Sequence, residues 1–328
     1  PSSSSQNKGK PFYAHIGHTV VHLPYEAPPE LIEKYSKKVK PGDAQQFPIY
    51  AATIELLDNK IGELMQKLDE LGVADNTIVV FTSDNGGRNS NYDWQLVTSN
   101  DPLKMGKHTL YEGGIRVPQF VRWPGKIAAN TTCETPMTAM DFFPTFARLI
   151  GEDIKQFNRD YDGNDIAALF VGGTIPARNL FWYYPHYNHG PTFGKSTAVM
   201  KMRPASVVRK GDYKLVEWLE EPNAVELYDL SKDIGEKTNL AYTQPGKVAE
   251  LRALLKQWYA DTGVKLPEIR KPYNGGLFGL PLSTIEGLRK EGEDRLRKEL
   301  GLPVQDDGKN TATTQQVPEP LAPLALAD

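Results

Sequence analysis

Cysteine is almost missing from this sequence: Cys133 stands alone among 328 residues, so no internal disulfide can form. Long apolar runs are missing too. No stretch of roughly 18 or more apolar residues occurs, and no membrane-spanning helix is expected. No segment has the basic start, apolar stretch and small-residue cleavage site of a signal peptide. A large excess of one charge is lacking: 38 Lys and Arg stand against 41 Asp and Glu, a net charge of −3. So small an imbalance gives no polyanion-coating surface, and no nucleic-acid partner is expected. A sulfated or phosphorylated ligand has to be gripped by a local cluster of cations. An initiating Met is absent as well. The sequence opens with Pro1 and a serine run and soon enters an apolar segment. That reads as a chain cut from a longer one, with any leader lying upstream.

What is present suffices for one large core and a smaller one, since 39% of the residues are hydrophobic. Phe12 to Ile16 reads as a buried strand, ending near the turn region Pro24 to Pro29. From Gln46 to Leu71, the apolar residues Tyr50, Ile54, Leu57, Ile61, Leu64, Leu68 and Leu71 fall three or four apart. They form one face of a long helix that Gly72 stops. Thr77 to Thr82 is a near-continuous β-branched run, the pattern of a central strand covered on both faces. It ends in the polar loop Ser83 to Gly87, and in open α/β sheets chemistry collects in loops at the carboxyl ends of strands. Gln119 to Trp123 reads as a further strand and Asp141 to Ile150 as a short helix. Strand candidates then follow in series at Leu180 to Tyr184, Ser206 to Arg209, Tyr213 to Trp218 and Glu226 to Leu230. A helix over Lys247 to Tyr259 completes a small antiparallel α+β unit. Ser283 to Leu300 reads as a charged helix, and Thr311 to Asp328 has a composition that favours disorder.

Three places offer chemistry. Asp84 and Asn85 supply a carboxylate and an amide oxygen, suited to a hard divalent cation that takes six or more oxygens. Asn-Gly is equally the dipeptide of an ordinary turn. Gly106-Lys107, with Gly113, Gly114 and Arg116 after it, lets backbone pass close to something while cations face an anion. The same pattern also describes surface cations around a Gly-Gly turn. His22, just past the first strand, can give a proton to a leaving alkoxide. His15 reads as a packed residue inside that strand. Phe181 to Gly190 is aromatic and histidine-rich. His186 and His189 are substrate-pocket candidates there, while Trp182 and the tyrosines also read as core. Nothing assigns a role to His108.

Taken in order, these segments resemble the type I, formylglycine-dependent sulfatases. Pro11-Phe12-Tyr13 running to Val21-His22-Leu23-Pro24 resembles the segment with a catalytic His before a Pro. Ser83-Asp84-Asn85-Gly86 resembles the metal-binding Asp-Asn-Gly. Gly106-Lys107 and Tyr111-Glu112-Gly113-Gly114-Ile115-Arg116-Val117-Pro118 resemble the catalytic Lys and the motif after it. Asp141-Phe142-Phe143-Pro144-Thr145 resembles the Asp-x-x-Pro-Thr helix. Arg209 to Leu215, Glu226 to Leu230, Gly235-Glu236 and Asn239 to Ala241 resemble the C-terminal subdomain. The resemblance runs over about residues 10 to 273, and the ordered set is far more specific than any one piece.

The resemblance implies an arylsulfatase-like sulfuric ester hydrolase. Its fold would be α/β, alkaline phosphatase-like, a mixed sheet flanked by helices with a smaller C-terminal antiparallel α+β subdomain. Residues 1–174 would be the C-terminal part of the catalytic domain, 175–274 the subdomain and 275–328 an extension. The N-terminal half of the large domain is expected to be absent. His22 and Lys107 would be catalytic, Asp84 and Asn85 would bind one Ca²⁺, and Arg116 would brace its loop. The family's nucleophile is a formylglycine made in a Cys/Ser-x-Pro-x-Arg motif, which this sequence does not contain. The proline after Cys133 is one place late and no arginine follows. The first metal-ligand pair is not matched either. Catalysis by this chain alone is therefore not expected. The implied partners are a sulfated small molecule or polysaccharide and a formylglycine-generating or anaerobic maturation enzyme, in a periplasmic or secreted protein. Two alternatives stay open: a phosphodiesterase or phosphonate hydrolase of the same superfamily, which would carry Thr as nucleophile, and a non-catalytic carbohydrate-binding fragment.

Overall fold

The computed structural model describes residues 10–40, 43, 47–89, 91–92, 95–157, 160–189, 200–221 and 223–268. At 91–92, 95–96, 188–189 and 200–201 only the backbone is described. The expected helix over Ser283 to Leu300 and the tail beyond lie outside the described residues.

Two helices lead the described chain, α1 over Pro29–Ser36 and α2 over Pro48–Glu70, each with proline in its first turn. Proline fits there because its missing N–H has no intrahelical partner to lose. Gly72, with φ at 68°, ends α2 in the left-handed region, as the sequence indicates. Tyr25 is buried edge-on against Phe47 and Tyr50 and ties the segment carrying His22 to α2. Upstream, the expectation of a buried strand fails. Residues 11–19 have no regular structure, and Phe12, Tyr13 and Ile16 are exposed. A strand exists only where a neighbour takes its N–H and C=O groups, and no described strand lies beside this segment. His15 is exposed rather than packed.

Strand β1, Val79–Thr82, pairs antiparallel with a later strand, Gln119–Arg122. Between them come the short hairpin β2 (Asn91–Tyr92) and β3 (Gln95–Leu96) and the single turn α3 (Glu112–Ile115), which makes the later strand β4. β1 was expected to be covered on both faces. It sits instead in a two-stranded ribbon whose alternation leaves Phe120 65% exposed. Helix α4 (Phe142–Leu149) and the turn α5 (Ala167–Phe170) follow.

The last part is a four-stranded antiparallel sheet in the order β10-β9-β8-β5, with β5 over Asn179–Tyr184, β8 over Ala205–Lys210, β9 over Tyr213–Trp218 and β10 over Val225–Asp229. A small pair, β6 (Asn188–His189) and β7 (Met200–Met202), stands outside it. Alternation gives this sheet two apolar faces. Val208, Leu215 and Leu227 face Leu251 and Leu255 of α6 (Pro245–Thr262), all five fully buried. Val207, Val216 and Tyr228 face the other way and pack on Leu110 and Tyr111. One face of the sheet thus seats a helix, and the other seats the segment that contains Lys107. All described strand pairs are antiparallel.

Candidate functional site

The loop after β1 meets the Lys107 segment through backbone. The N–H of Gly86 donates to the carbonyl of Gly114 at 2.9 Å, and the N–H of Lys107 donates to the carbonyl of Gly87 at 3.0 Å. A β-carbon on Gly114 would sit 2.2 Å from the Thr109 carbonyl oxygen, so only glycine allows this approach. Asn100 clamps the junction. Its Oδ1 accepts from Gly87 N–H at 3.0 Å, and its Nδ2 donates to the carbonyls of Gly87 and Met105 at 2.9 and 3.0 Å. No motif in the sequence singles out Asn100.

Asp84, Asn85 and Lys107 are therefore carried on joined loops, as candidates for one site should be. Asp84 is exposed, and its Oδ1 accepts from Asn85 N–H at 2.9 Å. The Nδ2 of Asn85 donates to Gly86 O at 3.0 Å, which leaves its Oδ1 as an acceptor. An exposed carboxylate beside an amide oxygen fits a hard cation and supplies part of its shell. Among the described residues, no group of three or more His, Cys, Asp or Glu could hold a metal. Lys107 is half-buried, and among the described residues its ammonium has no ion pair. Lys104, three residues earlier, is fully engaged. It donates to Tyr228 Oη at 3.1 Å, lies 3.8 Å from Glu226 and sits 3.9 Å from the Tyr111 ring centroid. Burial, then the Glu226 carboxylate that accepts from them, pushes the Tyr111 and Tyr228 hydroxyls far above their ordinary pKa.

Beneath the site lies a buried charge cluster that sequence reading missed. Lys214, fully buried, lies 2.9 Å from Glu112 Oε1 and 2.8 Å from Glu236 Oε1. The second contact is an ion pair without hydrogen-bond alignment. Glu236 Oε2 accepts from the Glu112 N–H at 2.7 Å. Arg116, half exposed, lies 3.7 Å from Glu112 and supplies a second positive charge. Burial raises the Glu236 carboxyl above its ordinary pKa, and Lys214 only partly offsets this. A signal did exist. Alternation in Tyr213 to Trp218 puts Lys214 on the same apolar face as Val216 and Trp218.

The Asp-x-x-Pro-Thr segment is scaffold. Asp141 pairs with both terminal nitrogens of Arg178 and accepts from the N–H groups of Thr138 and Asn164, each at 2.8 Å. Thr145 Oγ1 donates to Asp141 O at 2.6 Å and accepts from Ile166 N–H at 2.9 Å.

His22 is exposed and lines a cleft of about 450 Å³ with Glu26, Thr53 and Leu56. Its Nδ1 lies 2.8 Å from Leu23 O, and among the described residues no hydrogen bond joins it to the Asp84 or Lys107 loops. His186 is exposed, edge-on to Tyr184 at 5.4 Å. Three nearby aromatics serve as core, Trp182 and Tyr184 packing against the buried cluster that includes Val207 and Tyr228 and Phe181 stacking on Trp258, whereas Tyr187 is exposed. The side chain of His189 lies outside the described residues.

Comparison with known proteins adds three findings. The family profile described as "Sulfatase" matches residues 3–152, and "N-sulphoglucosamine sulphohydrolase, C-terminal" matches residues 104–263. A curated sulfatase of Formosa agariphila is 32% identical over 80% of this chain and 50% of its own, and human arylsulfatase A is 30% identical over 78% and 49%. The chain thus spans about half the length of the curated relatives it matches. Among solved structures, Ps i-CgsB in complex with k-i-k-neocarrahexaose superposes with a TM-score of 0.65 at 24% identity, covering 90% of this chain and 58% of that one.

Proposed function

The chain belongs to the sulfatase family and has its alkaline phosphatase-like fold, and on that premise we propose that it carries one part of the active site of a sulfuric ester hydrolase. The observation that supports this best is the backbone joining of the Asp84–Asn85 loop to the Lys107 segment through Gly86, Gly87 and Asn100, with the Lys107 ammonium making no ion pair among the described residues. A carboxylate and an amide oxygen on a loop joined to one that carries a cation would form a place for a metal and a tetrahedral anion to share. Asp84 and Asn85 would hold Ca²⁺, which when bound sets positive charge against the sulfate oxygens. Lys107 neutralises charge that grows on those oxygens as the ester bond breaks. His22 hands a proton to the departing alcohol oxygen. The nucleophile, a formylglycine in the family's Cys/Ser-x-Pro-x-Arg motif, belongs to a segment this sequence does not contain, and its making would need a maturation enzyme. The substrate is a sulfated carbohydrate or an aryl sulfate, with His186 and His189 as contacts to a sugar. The family supports a periplasmic or secreted setting as part of this reading. Among the described residues no helix is long and apolar enough to cross a membrane.

The test is hydrolysis of an aryl sulfate with Ca²⁺ present. The chain by itself should show no turnover, and turnover would mean that the nucleophile lies within it. A polypeptide joining this chain to a formylglycine-bearing segment should be active. There Lys107→Ala and His22→Ala should each lower kcat by about 10²- to 10⁴-fold. Unchanged kcat in Lys107→Ala and in Asp84→Ala would overturn the reading.

A further inference from the structure

The Lys214–Glu112–Glu236 cluster takes no part in the chemistry above. Burying such charges costs several kcal/mol per ion unless their geometry is good, and an apolar trio of similar volume often serves stability as well. Stability alone is therefore a weak account of it, and its connections offer a stronger one. Glu112 begins the turn α3, and its backbone N–H is held by Glu236 while its carboxylate is held by Lys214. The next two residues are the glycines against which the Asp84 loop rests, with Gly86 N–H donating to Gly114 O at 2.9 Å. Gly113 N–H donates to Lys104 O at 2.9 Å, and Thr109 N–H and Oγ1 both reach Gly106 O. Both loops are thus built on one turn, and that turn is fastened to β9 and to the segment after β10 by charge.

We propose that Lys214 and Glu236 are positioning residues for the anion-facing site: through Glu112 they set the turn that aims the Asp84–Asn85 loop and Lys107 at one ligand. This rests on the reading of those three residues given above. It makes β9 and the segment after β10 working parts of the site, reached from 102 and 124 residues away along the chain. Removing the charges should loosen the two loops before it loosens the sheet.

The experiment is residue-resolved amide hydrogen exchange on the chain, comparing wild type with Lys214→Met and Glu236→Gln. Exchange at Gly86 and Lys107 should rise about tenfold or more in each variant, while amides in β8 and α6 change less than about threefold. Acylation of the Lys107 amine by acetic anhydride, read by mass spectrometry, should rise relative to that of the exposed Lys60 and Lys126 together with exchange at the Lys107 amide, while exchange in β8 and α6 tells this apart from a general loss of stability. A parallel rise at all amides, or none at Gly86 and Lys107, overturns the proposal. If Lys214→Met does not fold, Glu236→Gln, which keeps shape and removes charge, decides by the same criterion. None of these measurements uses hydrolysis. Sulfate hydrolysis that survives Lys107→Ala would remove the reading of the site and leave this coupling standing. Exchange that does not move would do the reverse.

Discussion

Gly86 and Gly113 pass so close that a β-carbon on Gly86 would lie 1.7 Å from the Gly113 carbonyl oxygen. No side-chain movement relieves that contact, because both partners are backbone. Gly86→Ala should therefore cost about 3 kcal/mol or more, or abolish folding. Gly62, in the exposed middle of α2 with nothing within 4 Å, is the control. There Gly62→Ala should stabilise by up to about 1 kcal/mol. Urea unfolding of the two variants gives the comparison, and equal midpoints would show that the approach of the two loops is looser than described.

Asn100 makes three hydrogen bonds to backbone in the same junction. Asn100→Ala leaves an N–H and two carbonyls without that partner, at an expected cost of about 2–4 kcal/mol. Asn100→Asp keeps the acceptor for Gly87 N–H but turns the donor into an oxygen facing two carbonyls, and it should be at least as damaging. Thermal melts of both variants test this, and an Asp variant as stable as wild type would contradict the donor assignment.

The pH dependence of the Asp141–Arg178 pair has a definite sign. Burial acts to raise the Asp141 carboxyl, but Arg178 and the N–H groups of Thr138 and Asn164 outweigh it, and its pKa lies below the ordinary 3.8. A depressed folded pKa adds stability above 3.8 that is lost as pH falls through the folded value. Asp141→Asn should thus be clearly less stable than wild type at about pH 7, with the gap narrowing below 3.8. Urea midpoints across that range decide it, and a gap that widens in acid would reverse the assignment.

As a proposed sugar contact, His186 should separate two kinds of substrate. Its exposure and its place beside Tyr184 suit a contact to sugar hydroxyls. In the active polypeptide, His186→Ala should raise KM for a sulfated sugar several-fold and leave a small aryl sulfate nearly unaffected. Equal loss on both would place His186 outside substrate selection.

The sequence showed some of this more clearly than the rest, for physical reasons. Helix α2 and strands β8, β9 and β10 lie within a few residues of where apolar periodicity places them, because spacing within one element records which face is buried. Phe12 to Ile16 had the composition of a strand, but composition cannot supply a pairing neighbour. β1 likewise reads as central by its valines, whereas its environment is set by one partner, β4. At the site, Asp84, Asn85 and Lys107 stood out through motif order. The residues that hold them did not. Asn100 works through backbone groups, which have no residue identity to read. Glu112, Lys214 and Glu236 meet across separations that leave no local pattern, although a lysine on the apolar face of β9 was a visible clue.

Those separations also bear on the order in which the molecule assembles. The turn that carries Gly113 and Gly114 gains its charged anchors only after more than a hundred further residues have been made. Contacts of such high order form late and slow the folding of the units that depend on them. Until β9 and the segment through Glu236 are in place, Glu112 has neither its ammonium partner nor the carboxylate that holds its N–H. The Asp84 and Lys107 loops can therefore take their final shape only when β9 and the segment after β10 have reached the turn between them.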